Sequence, residues 1–97
     1  MIIGAVQFKI YFPECHSLKE KRQILQKIKH KTIHQFPISI AEVSDHDIWQ
    51  QATMGLALVG NDQQYVNSVM DKVINFIQNL YLGDVINKQA EYYYFNE

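Results

Sequence analysis

With a single cysteine, Cys15, the chain has no partner for an internal disulfide. A lone thiol suits a reducing compartment better than secretion, so a cytoplasmic protein is expected. Two prolines and four glycines are spread thinly along the chain, and no linker separates one domain from another. Apolar runs nowhere approach the ~18 to 20 residues that cross a bilayer. The apolar start is broken by Gln7 and Lys9 and lacks the basic leader and small-residue cleavage site of a secretion signal. What remains is 97 residues, 47% apolar, enough for one hydrophobic core and too few for two, so a single domain over residues 1–97 is expected.

Acidic residues are nearly missing from one segment. Between positions 19 and 31 the six cations Lys19, Lys21, Arg22, Lys27, Lys29 and Lys31 meet one carboxylate, Glu20, a segment charge of +5. Elsewhere three cations face nine carboxylates, and the whole chain nets −1. Such an asymmetry favours an anionic partner over a chemical reaction, because a local field concentrates polyanions whatever the overall charge.

From Ile2 to Phe12, Ile2, Gly4, Val6, Phe8, Ile10 and Phe12 alternate with Gln7, Lys9 and Tyr11, the period of a half-buried strand. Pro13 stops it, and Ser17 with Glu20 forms a capping box that starts a helix at Leu18. That helix buries Leu18, Ile24, Leu25, Ile28 and Thr32 and runs to about His34. Phe36, Ile38 and Ile40, then Met54, Leu56 and Leu58, mark two further strands around a polar loop centred on Ser44 to Asp47. Pro37 suits an edge strand, having no N–H for a ladder. Gly60-Asn61-Asp62 turns into a second helix with the stripe Val66, Val69, Met70, Val73, Ile77 and Leu80, closed by Gly83. Val85 to Phe95 forms a final strand. Phe8, Leu25, Leu56, Val69 and Val73 are expected in the core.

The order βαββαβ with right-handed crossovers places the first and third strands at the centre of a four-stranded antiparallel sheet. Both helices cover one face, an α+β ferredoxin-like sandwich. The other face is bare, and its expected central residues, Ile3, Ala5, Gly55 and Ala57, are small or apolar rather than charged.

Ser17-Leu18-Lys19-Glu20-Lys21-Arg22, Ala41-Glu42-Val43, Trp49-Gln50-Gln51-Ala52-Thr53 and Val59-Gly60-Asn61-Asp62 occur in this order across nearly the whole chain. In that combination the sequence resembles the bacterial YlxP-like family of unknown function. The resemblance implies a small ferredoxin-like domain, commonly encoded near translation-initiation and ribosome-maturation factors, and brings no catalytic residues with it. Gln51 stands where family members tend to carry arginine, which weakens any anion site in that segment.

Lys19, Arg22, Lys27, Lys29 and Lys31 are the candidate nucleic-acid-binding residues, because phosphate contacts need flexible cations more than a fixed motif. The competing description is an ordinary solvated helix face. Lys21 falls within the apolar stripe. Either its stem covers the core edge while its amine reaches water, or it reaches over the sheet end as an anion contact to a phosphate or a carboxylate such as Glu42. Trp49, placed by continued strand alternation at the margin of the bare sheet, joins Tyr11, Tyr93 and Phe95 as a candidate partner interface or base-stacking platform. The third strand has no aromatic where an RNA-recognition motif stacks its bases, so that module is disfavoured.

His30 and His34 lie one helical turn apart and Asp45-His46-Asp47 adds donors, yet a metal site needs three or four converging ligands. No metal and no cofactor are expected. Gly60-Asn61-Asp62 lacks the spacing and lysine of a phosphate loop. Cys15 beside His16 forms no nucleophile pair, since adjacent side chains point apart. No acid, base and nucleophile set emerges, so an enzyme is not expected and no small-molecule substrate is identified. Two classes of non-catalytic binding module remain. One is associated with RNA or the ribosome through the basic helix. The other is a protein-interaction or homodimerisation module that uses the open sheet face and final strand.

Overall fold

Alternation and capping are realised in the order β1 (Ile2–Tyr11), α1 (Leu18–Gln35), β2 (Ser39–Ser44), β3 (Gln51–Gly60), α2 (Gln63–Gln78) and β4 (Asp84–Tyr94). The structure, a computed structural model, describes residues 1–95. The sheet order is β2-β3-β1-β4 with every neighbouring pair antiparallel, the ferredoxin-like arrangement. Val6, Phe8 and Ile10 of β1 and Met54, Leu56 and Leu58 of β3 point to the same side. The helices bury their stripes there, Leu25 and Ile28 from α1 and Val66, Met70, Val73, Ile74 and Ile77 from α2.

Of the expected core, Phe8, Leu25, Leu56 and Val73 are buried, while Val69 is only half-buried and Ile74 takes the inward position instead. Helix α2 ends at Gln78, before Gly83. Gly83 serves another purpose, since a Cβ there would stand 2.5 Å from Ile10 Cγ2 and 2.7 Å from Phe12 Cδ1. A bare backbone is therefore needed where the chain crosses the end of β1. The chain reversal falls at Tyr81, which adopts a left-handed φ of 55°.

Both helices start on a side-chain cap. Ser17 Oγ accepts from Glu20 N at 3.1 Å and Asp62 Oδ1 from Gln64 N at 3.1 Å. The reciprocal half of the expected capping box is displaced by one residue, since Glu20 Oε2 accepts from His16 N at 3.2 Å rather than from Ser17. That still satisfies a free N–H just before the helix.

The face away from the helices is open. Ala5, Ala41, Gly55 and Ala57 floor a trough of about 430 Å³ with Val43 and Tyr93 at its sides. Val43 leans across the glycine, since a Cβ on Gly55 would lie 3.1 Å from Val43 Cγ1.

Candidate nucleic-acid interface

Helix α1 uses its charged residues in two ways. Lys21 occupies a core-facing position of the helical stripe and is 1% exposed. Its amine does not reach water. Nζ donates to the backbone carbonyls of Asp45 at 2.7 Å and Ile48 at 2.6 Å, and lies 2.9 Å from Glu42 Oε2. Two of the ammonium's three N–H donors go to these carbonyls, and Glu42 Oε2, buried without a hydrogen bond of its own, faces it as an ion pair; all three oxygens come from the end of β2 and the loop after it. Burial pushes the Glu42 carboxyl up, but the Lys21 ammonium and His46, whose Nδ1 is 3.2 Å from Oε1, outweigh it and hold the group below its ordinary value of 4.5.

The β2–β3 loop is held from several other directions. Asp45 takes a left-handed φ of 65°, which aspartate tolerates better than most residues. Its Oδ2 accepts from Thr53 Oγ1 at 2.5 Å and Gln51 Nε2 at 2.8 Å. These bonds, the Thr53 one first, with Lys9 4.0 Å away, keep its carboxyl below the ordinary 3.8. Gln50 closes the other side: its carbonyl accepts from Phe12 N at 2.7 Å, and Nε2 donates to the carbonyls of Pro13 and Cys15 at 3.3 and 3.4 Å. Gln51 therefore serves the loop's internal bonding.

Lys19, Arg22, Lys27 and Lys31 are exposed and Lys29 is half-exposed. None of the five makes an ion pair with a described residue. Long cationic side chains at a helix surface usually find a carboxylate within three or four residues when the sequence offers one, and α1 offers only Glu20, which is engaged at the cap. The outer face of α1 is thus a run of uncompensated positive charge on a rigid element.

The four aromatic candidates separate into two groups. Tyr11 pairs with Gln51 across the β1–β3 ladder, and Trp49 sits in the turn just before it. Trp49 is not on a continuing strand as the alternation implied, because the Asp45–Gln50 turns interrupt the ladder and β3 begins only at Gln51. Tyr93 pairs with Ile3 at the opposite end, and Phe95 N donates to Met1 O. Eight residues of β1 separate Ile3 from Tyr11, about 26 Å at ~3.3 Å per residue, so no single platform contains all four.

His16, His30, His34 and His46 are all exposed. Among the described residues no three His, Cys, Asp or Glu side chains converge as a metal-binding group. Cys15 is buried, with its thiol donating to Ser17 O at 3.3 Å. No helix in the described residues is long and apolar enough to cross a membrane.

Sequence reasoning weighed Asp45 only as a metal donor and gave Gln50 and Thr53 no role, whereas all three hold the loop. One signal for the clamp was present. Glu42 follows Ile38 and Ile40 in the inward phase of β2, and an inward carboxylate calls for a buried cation such as Lys21.

Residues 3–89 match the family described as Protein of unknown function (DUF503). The chain is 30% identical over 76 residues to the Uncharacterized protein YlxP of Bacillus subtilis (strain 168), covering 78% of this chain and 83% of that protein. Two designed proteins of solved structure share the fold. De novo designed protein Foldit4 superposes with a TM-score of 0.53 at 5% identity over 98% of each chain. De novo designed protein Ferredog-Diesel gives 0.50 at 10% identity over 92% of this chain and 83% of that one.

Proposed function

The chain belongs to the DUF503 family of proteins of unknown function, and we propose that it acts as a non-catalytic RNA-binding module, associated with RNA or the ribosome through the outer face of α1. The observation that carries this reading is the set of five cations, Lys19, Arg22, Lys27, Lys29 and Lys31, without a carboxylate partner among the described residues, in a chain whose other residues are net acidic. Where this protein needs a lysine for its own fold, at Lys21, it supplies two carbonyl acceptors and a carboxylate partner. The five outer cations have been given none, and an RNA backbone would supply them.

Phosphate neutralisation releases counterions, so affinity falls as salt rises, with a log–log slope of up to about −3.5 if all five contact a single strand. The test is fluorescence anisotropy of a labelled RNA across a salt series, beside a variant carrying Arg22→Ala, Lys27→Ala and Lys29→Ala, with co-sedimentation on ribosomal subunits as the second arm. A steep slope that flattens by about two in the variant supports the reading. Binding indifferent to salt and to the triple substitution overturns it.

The open trough of about 430 Å³ favours a second reading, homodimerisation through Ala5, Val43, Gly55 and Tyr93. Association of that kind survives high salt, because it rests on apolar burial. Sedimentation as a monomer throughout the micromolar range would remove it.

A further inference from the structure

We propose that Trp49 is a base-stacking contact, and that the RNA this protein takes is therefore single-stranded at the amino-terminal end of α1. The inference rests on the RNA-binding reading above and adds to it the strandedness of the ligand and the residue that selects it.

Trp49 is 51% exposed and its neighbour Ile48 46% exposed. Large apolar side chains left in water on a loop are unremarkable where the loop is loose. Here the backbone on both sides of Trp49 is fixed. Lys21 grips the carbonyls of Asp45 and Ile48, the Ile48 N–H donates back to Asp45 O at 3.1 Å, and Gln50 is pinned to Phe12, Pro13 and Cys15. A side chain presented from a backbone already ordered loses little freedom on binding, which is the condition for a pre-organised contact.

The element that performs the gripping is α1. Lys19 and Arg22 lie within about 3 Å of axial rise of Lys21 but turn away from it, Arg22 by about 100° and Lys19 to the far side of the helix, so the clamp places Trp49 and these two cations at the same amino-terminal end of α1 on different faces. Tyr11, 42% exposed, stands at the adjoining strand end. The charges around the loop are mostly settled internally: Glu42 by Lys21 and His46, Asp45 by Thr53, Gln51 and Lys9. Asp47 is the exposed carboxylate left on the loop, and it directs phosphates away from the loop and toward α1 while a base turns to the indole.

Cations that begin at the end of the helix where an exposed indole is held fit an unpaired strand that bends from one to the other. Bases in a duplex are already stacked on one another and offer no face to an aromatic side chain, whereas bases of a single strand do.

Trp49 is the sole tryptophan of the chain, so intrinsic fluorescence reads this side chain alone. The full protein is titrated with a short oligouridylate and, separately, with an RNA duplex of equal length, following indole emission and the anisotropy of a label on the RNA together. Single-strand binding should quench the indole, and Trp49→Ala should weaken it about fivefold to a hundredfold, the range seen on loss of one stacked base, with Trp49→Phe retaining most of the affinity. Salt-sensitive anisotropy with unchanged indole emission, or equal affinity for duplex and single strand that ignores Trp49→Ala, overturns the stacking role while leaving the RNA reading intact. Absence of any anisotropy change at low salt overturns both, and leaves Trp49 as a protein contact.

Discussion

Helix α2 buries Val66, Met70, Val73, Ile74 and Ile77, all apolar, whereas α1 buries Leu25 and Ile28 together with Lys21 and Thr32. Both lie on one sheet and both start from a side-chain cap, so the difference is not in how they form. Thr32 returns its hydroxyl to Ile28 O at 2.6 Å within the helix, leaving Lys21 as the inward group that reaches beyond its own element. Helix α2 is attached by packing and by neutral side-chain hydrogen bonds to β4, with Val85 N, Tyr92 Oη and Tyr94 Oη donating to Gln78, Asn67 and Gln63. Helix α1 is attached by packing and by a charge that fixes the β2–β3 loop, and its outer face carries cations that the fold does not use. A helix that organises a loop on one side and presents charge on the other joins the core to a cationic surface.

Breaking the clamp should have the largest effect. Lys21→Met keeps the volume of the stem but strands the Glu42 carboxylate, whose side chain is 17% exposed, and two carbonyls of the loop. Removing one member of a buried pair costs about 3 to 5 kcal/mol, and urea denaturation would measure it. Adding Glu42→Gln to that variant should restore much of the loss, because the uncompensated charge goes with it. A Lys21→Met cost below about 1 kcal/mol would mean that the loop is held without the ammonium, and the distinction between the helices would dissolve.

On α2, Met70→Ala removes a buried side chain, 2% exposed, and should destabilise by about 2 to 5 kcal/mol through lost burial and the cavity left behind. The native fluorescence of Trp49 should not move, since α2 does not hold its loop. Lys21→Met should shift that emission even where the protein remains folded. Equal spectral changes in the two variants would contradict the assignment of the loop to α1.

Acid sharpens the same contrast. The Glu42 and Asp45 carboxyls are held below their ordinary values of 4.5 and 3.8, so the folded state binds fewer protons than the unfolded one in that range. Their stabilisation is present in full above the ordinary values and is lost as pH falls through the lower folded ones. The melting temperature should be insensitive to these groups between about pH 7 and 5 and should fall below that. Lys21→Met, which lets burial raise the Glu42 carboxyl, reverses the sign of that group's contribution: the folded variant takes up the Glu42 proton more readily than the unfolded chain, so the variant should lose the Glu42 part of the acid decline and recover stability as pH falls toward the ordinary value. Parallel acid limbs in the two proteins would count against the pair.

Element order, sheet topology and the open face were legible because each rests on local periodicity. The even residues of β1, the stripe of α2 and the two side-chain caps each point the same way as the fold does. What was not legible lies where tertiary contacts override local pattern. Alternation through Trp49 implied a strand, but the Lys21 and Asp45 bonds turn the chain there. Gly83 read as a helix stop, while its smallness answers Ile10 and Phe12 from a distant strand. Lys21 read in two ways, as a lysine with its head in water or as one reaching over the sheet end to a phosphate or a carboxylate such as Glu42, and the Glu42 contact is the one present. Its partners lie well along the chain, at Glu42, Asp45 and Ile48, and only the joint inward phase of Lys21 and Glu42 gave a sequence-level hint of them. The basic face was legible as charge. Its lack of internal partners required the positions of the carboxylates in space.

The smallest effect on stability should come from the cations that carry the proposed function. Lys27 and Lys31 are exposed, one helical turn apart, and pair with no carboxylate among the described residues. Like charges at that spacing oppose helix formation by about 0.2 to 0.5 kcal/mol, and no packing is lost when their amines go. Lys27→Gln with Lys31→Gln should therefore leave the urea midpoint unchanged or raise it slightly, while RNA affinity drops and its salt slope flattens. That combination, loss of binding with no loss of stability, is what separates a surface kept for a partner from one kept for the fold. A stability loss above about 1 kcal/mol would instead assign these lysines to the same structural role as Lys21 and remove the basis for treating the two sides of α1 differently.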